Sequence, residues 1–298
     1  MKASSLKPQA SSRKLHKSSD QHPVSRIDSH QHFWRYDPVR DAWITDAMNV
    51  IQRDFLPDDL APVLKKNHID GCVAVQADQS GTETKFLLEL ADQHNFIQGV
   101  VGWIDLRGDD LESNLEQYAV HKKLKGFRHI AQAEPDGFLL QDDFSRGIES
   151  LKNYGYTYEI LVYHHQLPDA LNFVKAHPDQ AFVIDHLAKP AIHSQEIVNW
   201  TAYMKAMAQY PQVMCKLSGM VTEAHWQQWK KEDFTPYLET VLECFGPDRL
   251  MYGSDWPVCL LAATYEQQLG IVEAFISTLS ETEKQQIMGG NAIRFYHL

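Results

Sequence analysis

From Ile27 onward, short apolar runs alternate with longer stretches of helical periodicity. Eight runs read as strands: 27–33, 72–78, 98–105, 124–130, 156–163, 181–187, 212–218 and 249–255. Most are nearly continuous in apolar residues, the pattern of parallel strands covered on both faces. Helical stretches follow them at 58–67, 82–95, 110–120, 143–153, 167–176, 195–209, 232–244 and 265–279. Gly71 and Gly155 come after two of these stretches, as helix stop residues do. Ser280-Glu281-Thr282-Glu283 reads as a capping box that opens one more helix. Eight strand–helix repeats in succession predict a closed (β/α)8 TIM barrel, a single domain over 26–298. The rival is a doubly wound open sheet. No Gly-x-Gly-x-x-Gly follows the first strand, so its dinucleotide-binding version has no support.

Two segments break the repeat. Residues 35–57 are long for a strand-to-helix loop and carry Trp43, Ile44 and Phe55. Such a loop is expected over the C-terminal mouth of the barrel, as a lid or a pocket wall. Residues 1–25 are rich in Ser, Lys and Gln, and Asp20 is their one acidic residue. They lack the apolar core of a secretory signal and have few arginines for a transit peptide, so a disordered tail is expected.

Composition narrows the picture. The chain has 298 residues, 44% of them hydrophobic, enough for one large core. A net charge of −11 argues against nucleic acid as a partner. Cys72, Cys215, Cys244 and Cys259 form no Cys-x-x-Cys pair. They read as buried free thiols in a reducing compartment, which points to the cytoplasm. No run approaches the roughly 18 apolar residues of a membrane span, so no membrane partner is expected.

The chemistry concentrates where the predicted strands end, which is where barrels carry their functional groups. His30 and His32 sit at i and i+2 on the first strand, so their imidazoles share a face. Such a pair can bind a metal or polarise an oxygen, but it also suits a half-exposed surface strand. Asp255 ends the last strand as a candidate general base or metal ligand, or as a turn residue before Trp256-Pro257. His186 ends the sixth strand, with Asp185 expected on the opposite face to orient a neighbour. Arg128 and His129 end the fourth strand and suit oxygen-rich ligands, although adjacent strand residues face opposite ways. Glu159 and Lys216 lie within strands and need partners if they face inward, as a structural ion pair or as ligands. Ser218 ends the seventh strand, and Trp34, Trp103 and Trp256 offer aromatic faces to a sugar ring, or simply fill the core.

Several of these strings together carry a family likeness. They are Asp28-Ser29-His30-Gln31-His32-Phe33-Trp34, Lys125-Gly126-Phe127-Arg128-His129 and Ile184-Asp185-His186-Leu187-Ala188-Lys189-Pro190. To these add 215–219, 252–258 and 290–296. In this order they resemble the amidohydrolase superfamily, specifically its metal-sparing sugar-lactonase branch. The resemblance implies water attack on a lactone carbonyl, with L-fucono-lactone or a related aldonolactone as substrate. It implies that Asp255 activates the water while His30, His32 and His186 polarise the carbonyl. Arg128 and His129 would hold the lactone oxygens, with Glu159, Ser218, Trp34 and Trp256 around the ring. The wider superfamily often carries two metals bridged by a lysine, but Lys125 lies too early on its strand for that role. The resemblance therefore leaves either no required cofactor or a single Zn²⁺ on His30, His32, His186 and Asp255. The alternative within the superfamily is a metal-dependent decarboxylase of a small aromatic or unsaturated acid. A catalytically dead barrel that binds sugar acids is a third reading, weakened because all four of these residues are present.

Overall fold

The computed structural model describes residues 24–298, so the tail expected over 1–25 lies almost entirely outside the described residues. Eight strands form one sheet in sequence order: β1 Ile27–Gln31, β2 Gly71–Val75, β3 Ile97–Gly102, β4 Leu124–His129, β5 Thr157–Ile160, β6 Phe182–Ile184, β7 Val213–Leu217 and β8 Leu250–Tyr252. Every neighbouring pair is parallel. The seam between last and first strands closes just beyond β8, where the His32 N–H donates to the Trp256 carbonyl at 2.7 Å. The arrangement is the expected barrel.

The helices fall between the strands: α1 Pro57–Lys66, α2 Gly81–Gln93, α3 Leu111–Tyr118, α4 Asp142–Asn153, α5 Leu167–Ala176, α6 Val198–Met207, α7 Lys231–Phe245 and α8 Tyr265–Ile276. The expected capping box opens α9, Glu281–Gln285: Ser280 Oγ accepts from the Glu283 N–H, and the Ser280 N–H donates to Glu283. A last helix, α10 Asn291–Tyr296, had no counterpart in the sequence pattern.

Strand alternation sorts the side chains into two cores. Phe127, Tyr158, Ile160, Phe182, Ile184, Cys215 and Leu217 point out to the helix layer. Ile27, Val73, Val75, Val101, Val183, Met214 and Met251 fill the barrel interior. That inner core is completed by Ala292 and Tyr296 of α10, which plug the N-terminal end of the barrel. Asn291 anchors the plug by donating to the Leu250 and Pro247 carbonyls at 2.6 and 2.7 Å. The chain passes so close here that a Cβ on Gly289 would lie 1.9 Å from the Ser25 carbonyl oxygen, so only glycine fits.

Several expected strands are too long at their C-terminal ends. The sixth stops at Ile184 rather than 187, and the eighth at Tyr252 rather than 255. The polar residues beyond must face the mouth, and a regular ladder would turn every second one outward. The chain leaves the strand geometry instead. His186, Leu187, Ala188 and Lys189 all have positive φ, 45 to 55°. Such a left-handed turn costs non-glycine residues about 1–2 kcal/mol each. It is held by Lys189 N–H to the His186 carbonyl at 2.7 Å and Trp200 Nε1 to the Leu187 carbonyl at 2.7 Å. Asp255 is likewise left-handed, at φ 58°. Strain of this kind gathers at functional sites.

Candidate active site

The first strand is where the site begins. Ile27 belongs to the inner core, so strict alternation would point Ser29 and Gln31 inward and turn His30 out. The register of β1 shifts between Asp28 and Gln31, and that irregularity brings His30 and His32 inside. Asp28 faces out of the barrel and pins the bend, accepting from the Ser254 N–H at 2.9 Å and the Tyr265 hydroxyl at 3.0 Å.

Four ligand-type atoms meet at the mouth. His30 Nε2 lies 3.2 Å from His32 Nε2, and Asp255 Oδ1 lies 3.9 and 3.4 Å from those two nitrogens. His186 Nε2 is 3.8 Å from the same oxygen. His32 is oriented through Nδ1, which donates to the Val75 carbonyl at 2.7 Å and turns Nε2 toward the site. His186 is oriented by Ser218 Oγ, 2.9 Å from its Nδ1. Room for that ring depends on Gly219, at φ 60°, where a Cβ would sit 2.4 Å from His186 Nδ1.

Below the mouth lies a layer of buried charge. Lys216 Nζ is 2.6 Å from Glu159 Oε1, 3.1 Å from Asp185 Oδ1 and 3.1 Å from His30 Nδ1. Arg128 Nη1 is 3.0 Å from Asp185 Oδ2 and 3.3 Å from His30 Nε2. The Tyr296 hydroxyl donates to Glu159, tying the plug to this layer. Each charge has a partner of opposite sign, as burial demands.

Protonation follows from these neighbours. Burial, together with the Lys216 charge, holds His30 well below the ordinary imidazole range, so it is neutral. Burial does the same to His186. Burial alone would raise Asp255, but His186, His32 and Lys189 hold its carboxyl below the usual range, so it is an anion near neutrality. Burial also opposes ionisation of Asp185, yet Lys216, His30 and Arg128 outweigh it and keep that carboxylate ionised. Glu159 is pushed up to about 7 by burial and by Asp185, against Lys216 and Arg128.

Above the four atoms opens a cavity of about 350 Å³. Its polar floor is His32, Arg128, His186, Asp255 and Lys189, and its walls include Trp43, Ile130, Leu161 and Val258. Of the residues singled out in the sequence, His30, His32, His186, Asp255 and Arg128 therefore meet. Ser218 acts from behind His186, and Glu159 lies below the floor, fully buried. His129 faces away, as adjacency to Arg128 requires. It stacks on Phe138 and pairs with Glu134 at 2.8 Å. Trp34 and Trp256 are both buried against Phe55 in an aromatic cluster outside the cavity lining. Asp185 was expected on the face opposite His186. The left-handed backbone at His186 instead turns both into the barrel, each beside His30. Lys125 sits at the far end of β4, bonded to the His297 carbonyl at 2.8 Å, remote from the mouth.

Sequence reasoning missed Gln79, Leu161, Lys189 and Val258 as lining residues. Lys189 carried a signal, since it closes the same string as His186. The apolar residues carried none, because nothing distinguishes them from core until the loops are placed. The loop 35–57 does form a wall. It is pinned by reciprocal Trp34 and Phe55 backbone bonds at 3.0 and 2.9 Å and presents Trp43 to the cavity.

The ligand atoms of His30, His32 and Asp255 are grouped closely enough to hold one metal ion, with His186 beside Asp255. Tetrahedral zinc with nitrogen ligands at about 2.05 Å spaces its ligands about 3.4 Å apart. Among His30, His32 and Asp255 the separations run from 3.2 to 3.9 Å.

Comparison with known proteins identifies the family. The L-fucono-1,5-lactonase of Burkholderia multivorans is 42% identical over 285 residues, 92% of this chain and 96% of that protein. The L-fucono-1,5-lactonase of Burkholderia ambifaria is 35% identical over 280 residues, again 92% of this chain and 96% of the relative. A crystal structure of a Burkholderia multivorans amidohydrolase with bound zinc superposes with a TM-score of 0.89. It is 43% identical and covers 92% of this chain and 99% of its own. The sequence profile of the Amidohydrolase family matches residues 27–298, and the chain belongs to that family.

Proposed function

We propose that this protein hydrolyses a sugar lactone to the open sugar acid, with L-fucono-lactone or a near aldonolactone as substrate. The observation that carries the reading is the Asp255 carboxylate set among three imidazoles beside Arg128, on the floor of a closed-ended cavity. The likeness to two L-fucono-1,5-lactonases over nearly the whole chain supports the substrate class.

The residues divide the work as follows. Asp255 is ionised and takes a proton from an attacking water. Arg128 and the histidine cluster face the carbonyl oxygen, where negative charge gathers in the tetrahedral intermediate. Collapse of that intermediate breaks the ring C–O bond, and the proton held by Asp255 passes to the leaving ring oxygen. Lys189 and Gln79 line the cavity and provide donors for ring hydroxyls. Leu161, Ile130 and Val258 give the pocket an apolar side that suits a deoxy sugar. His30, His32 and Asp255, with His186 beside them, would hold a single zinc ion. When bound, such an ion supplies Lewis-acid polarisation and lowers the pKa of water.

The test is acid release from L-fucono-lactone against a panel of sugar lactones, before and after exhaustive chelation. Hydrolysis that survives chelation supports the lactonase with a metal-independent site. Hydrolysis lost on chelation and restored by Zn²⁺ supports the lactonase with a metal centre. No hydrolysis of any lactone in either state would overturn the reading and shift weight to a decarboxylase.

A further inference from the structure

Arg128 and Lys189 both line the cavity at the mouth, and they are held differently. Arg128 is committed: Nη1 lies 3.0 Å from Asp185 Oδ2, and Nη2 donates to the Gln76 carbonyl. Lys189 keeps its donors: among the described residues Nζ makes no hydrogen bond, and its ion-pair neighbour, Glu223 Oε1, is 3.7 Å away. The Tyr163 ring lies beside it, with Nζ 5.3 Å from the ring centre. A charge-assisted N–H···O bond is roughly 2.7–2.9 Å long, so the ammonium and the carboxylate attract each other without bonding. Both side chains are mostly buried, with 17% and 19% of their surface exposed.

The backbone fixes both ends of this pair. Lys189 closes the left-handed turn that begins at His186, and its carbonyl accepts from His164 Nδ1 at 3.0 Å. Glu223 ends a single helical turn, Val221–Glu223, beyond β7, and its N–H donates to the Met220 carbonyl at 3.1 Å. The loops after β6 and β7 thus set opposite charges side by side at the cavity. Burial works against the Glu223 charge, and Lys189 supports it. Among the described residues no donor reaches the Glu223 carboxylate within hydrogen-bond distance, so burial takes hydration from it that the fold does not replace.

An oxygen beside two atoms 3.7 Å apart can lie about 2.8 Å from both. A hydroxyl suits that place, because it accepts through a lone pair and donates through its hydrogen. An ether oxygen only accepts, and a methyl group does neither. We infer that Lys189 and Glu223 form a specificity-determining pair that reads one hydroxyl of the substrate ring, Lys189 donating to its oxygen and Glu223 accepting from its O–H. The substrate class comes from the lactonase reading, on which this role rests; selection among lactones is what the pair adds. Glu223 stands outside the group formed by His30, His32, His186 and Asp255, so the pair acts on which ring is held and not on the bond that breaks.

The experiment crosses one double variant with a series of substrates. Lys189→Met/Glu223→Leu removes both charges together, so neither is stranded, and keeps side chains of similar size. The substrates are a sugar lactone that the wild type hydrolyses and its derivatives lacking one ring hydroxyl each. One of these omissions should lower kcat/KM about 10- to 100-fold in wild type, the scale of a hydrogen bond to a charged group, and less than about threefold in the variant. Any effect of losing Lys189 on the Asp255 carboxylate falls on every substrate alike and cancels in that ratio. A variant that loses the same factor on every lactone would overturn the inference, because a merely structural role does that. Should the double variant fail to fold, Glu223→Gln must shrink the same ratio, and an unchanged ratio overturns the inference equally. If wild type hydrolyses no lactone, the lactonase reading fails and the pair is read by binding. Saturation-transfer NMR then compares the corresponding reducing sugar, whose ring has no carbonyl to attack, with its monodeoxy derivatives. Binding that needs one hydroxyl in wild type and not in the variant keeps the inference. No binding, or the same dependence in both proteins, overturns it.

Discussion

The Asp255 N–H donates to the His30 carbonyl at 2.8 Å, across the seam where the barrel closes. The carboxylate from the end of the chain's last repeat and the imidazoles of its first are therefore set by the same backbone bond. Neither can shift without opening the barrel. Because this bond uses backbone atoms only, Asp255→Asn keeps it and removes only the charge. The expected result is a loss of kcat of about 10²–10⁴, the usual scale for a general base, with the circular dichroism spectrum unchanged. Activity near wild type would remove Asp255 as the base.

The orientation of His186 offers a second check. Ser218 Oγ is its partner at Nδ1, and Gly219 leaves room for its ring. Ser218→Ala should lower kcat/KM by about 10- to 100-fold, as removal of an orienting partner does. Gly219→Ala should do more damage, because a Cβ 2.4 Å from Nδ1 must displace the ring, and φ of 60° disfavours alanine. Equal activity in the two variants would mean that the ring is not fixed by this pair. Kinetics with a far-UV spectrum for each variant separate site effects from unfolding.

The barrel itself was legible because eight apolar runs and eight helical stretches alternate without interruption, and parallel strands buried on both faces leave few other solutions. The candidate-site strings were legible for a related reason: polar residues stand out at the ends of apolar strands. What periodicity misjudged were the places where the backbone departs from it. Strict alternation from Ile27 turns His30 outward, and only the register shift of β1 brings it in. Asp185 and His186 alternate in sequence but both face inward, because four residues from His186 adopt the left-handed conformation. For Trp34 and Trp256 the sequence leaves open a sugar-facing role or a core role, and both pack on Phe55. The residue with that opportunity is Trp43, and its position depends on how the 35–57 loop folds back through the Trp34–Phe55 pairing.

That exchange of tryptophans is testable. Trp43 is half-exposed and lines the cavity, so Trp43→Ala should raise KM about threefold to tenfold, the worth of roughly 1 kcal/mol of aromatic contact. kcat should change little, since an apolar contact of this kind binds substrate and transition state alike. Trp34→Phe should instead lower Tm while leaving KM near wild type, because it removes the Nε1 bond to the Arg53 carbonyl, 2.9 Å, and buried ring volume. The reverse assignment of effects would restore Trp34 to the ligand.

Glu83 supplies a pH prediction away from the catalytic cluster. It caps the start of α2 from within, accepting from the Ala77 and Asp78 backbone N–H groups. Burial nevertheless pushes its carboxyl up to about 7, more than those bonds pull it down. An acid whose pKa is raised by folding binds more protons in the native state than in the unfolded chain. Stability is then complete below the unfolded value near 4.5 and falls as pH rises through the interval to about 7. At about 1.4 kcal/mol per pH unit, the loss is on the order of 3 kcal/mol. Asp28, raised to about 6 chiefly by its burial, adds a slope of the same sign. The informative quantity is therefore the difference between wild type and Glu83→Gln. Glutamine mimics the protonated side chain at every pH, so the variant should lose less stability than wild type between pH 5 and 7.5. Urea unfolding at matched ionic strength reads this directly. Parallel stability curves for the two proteins would show that Glu83 ionises in the fold as readily as in the open chain, and that its two backbone bonds outweigh its burial.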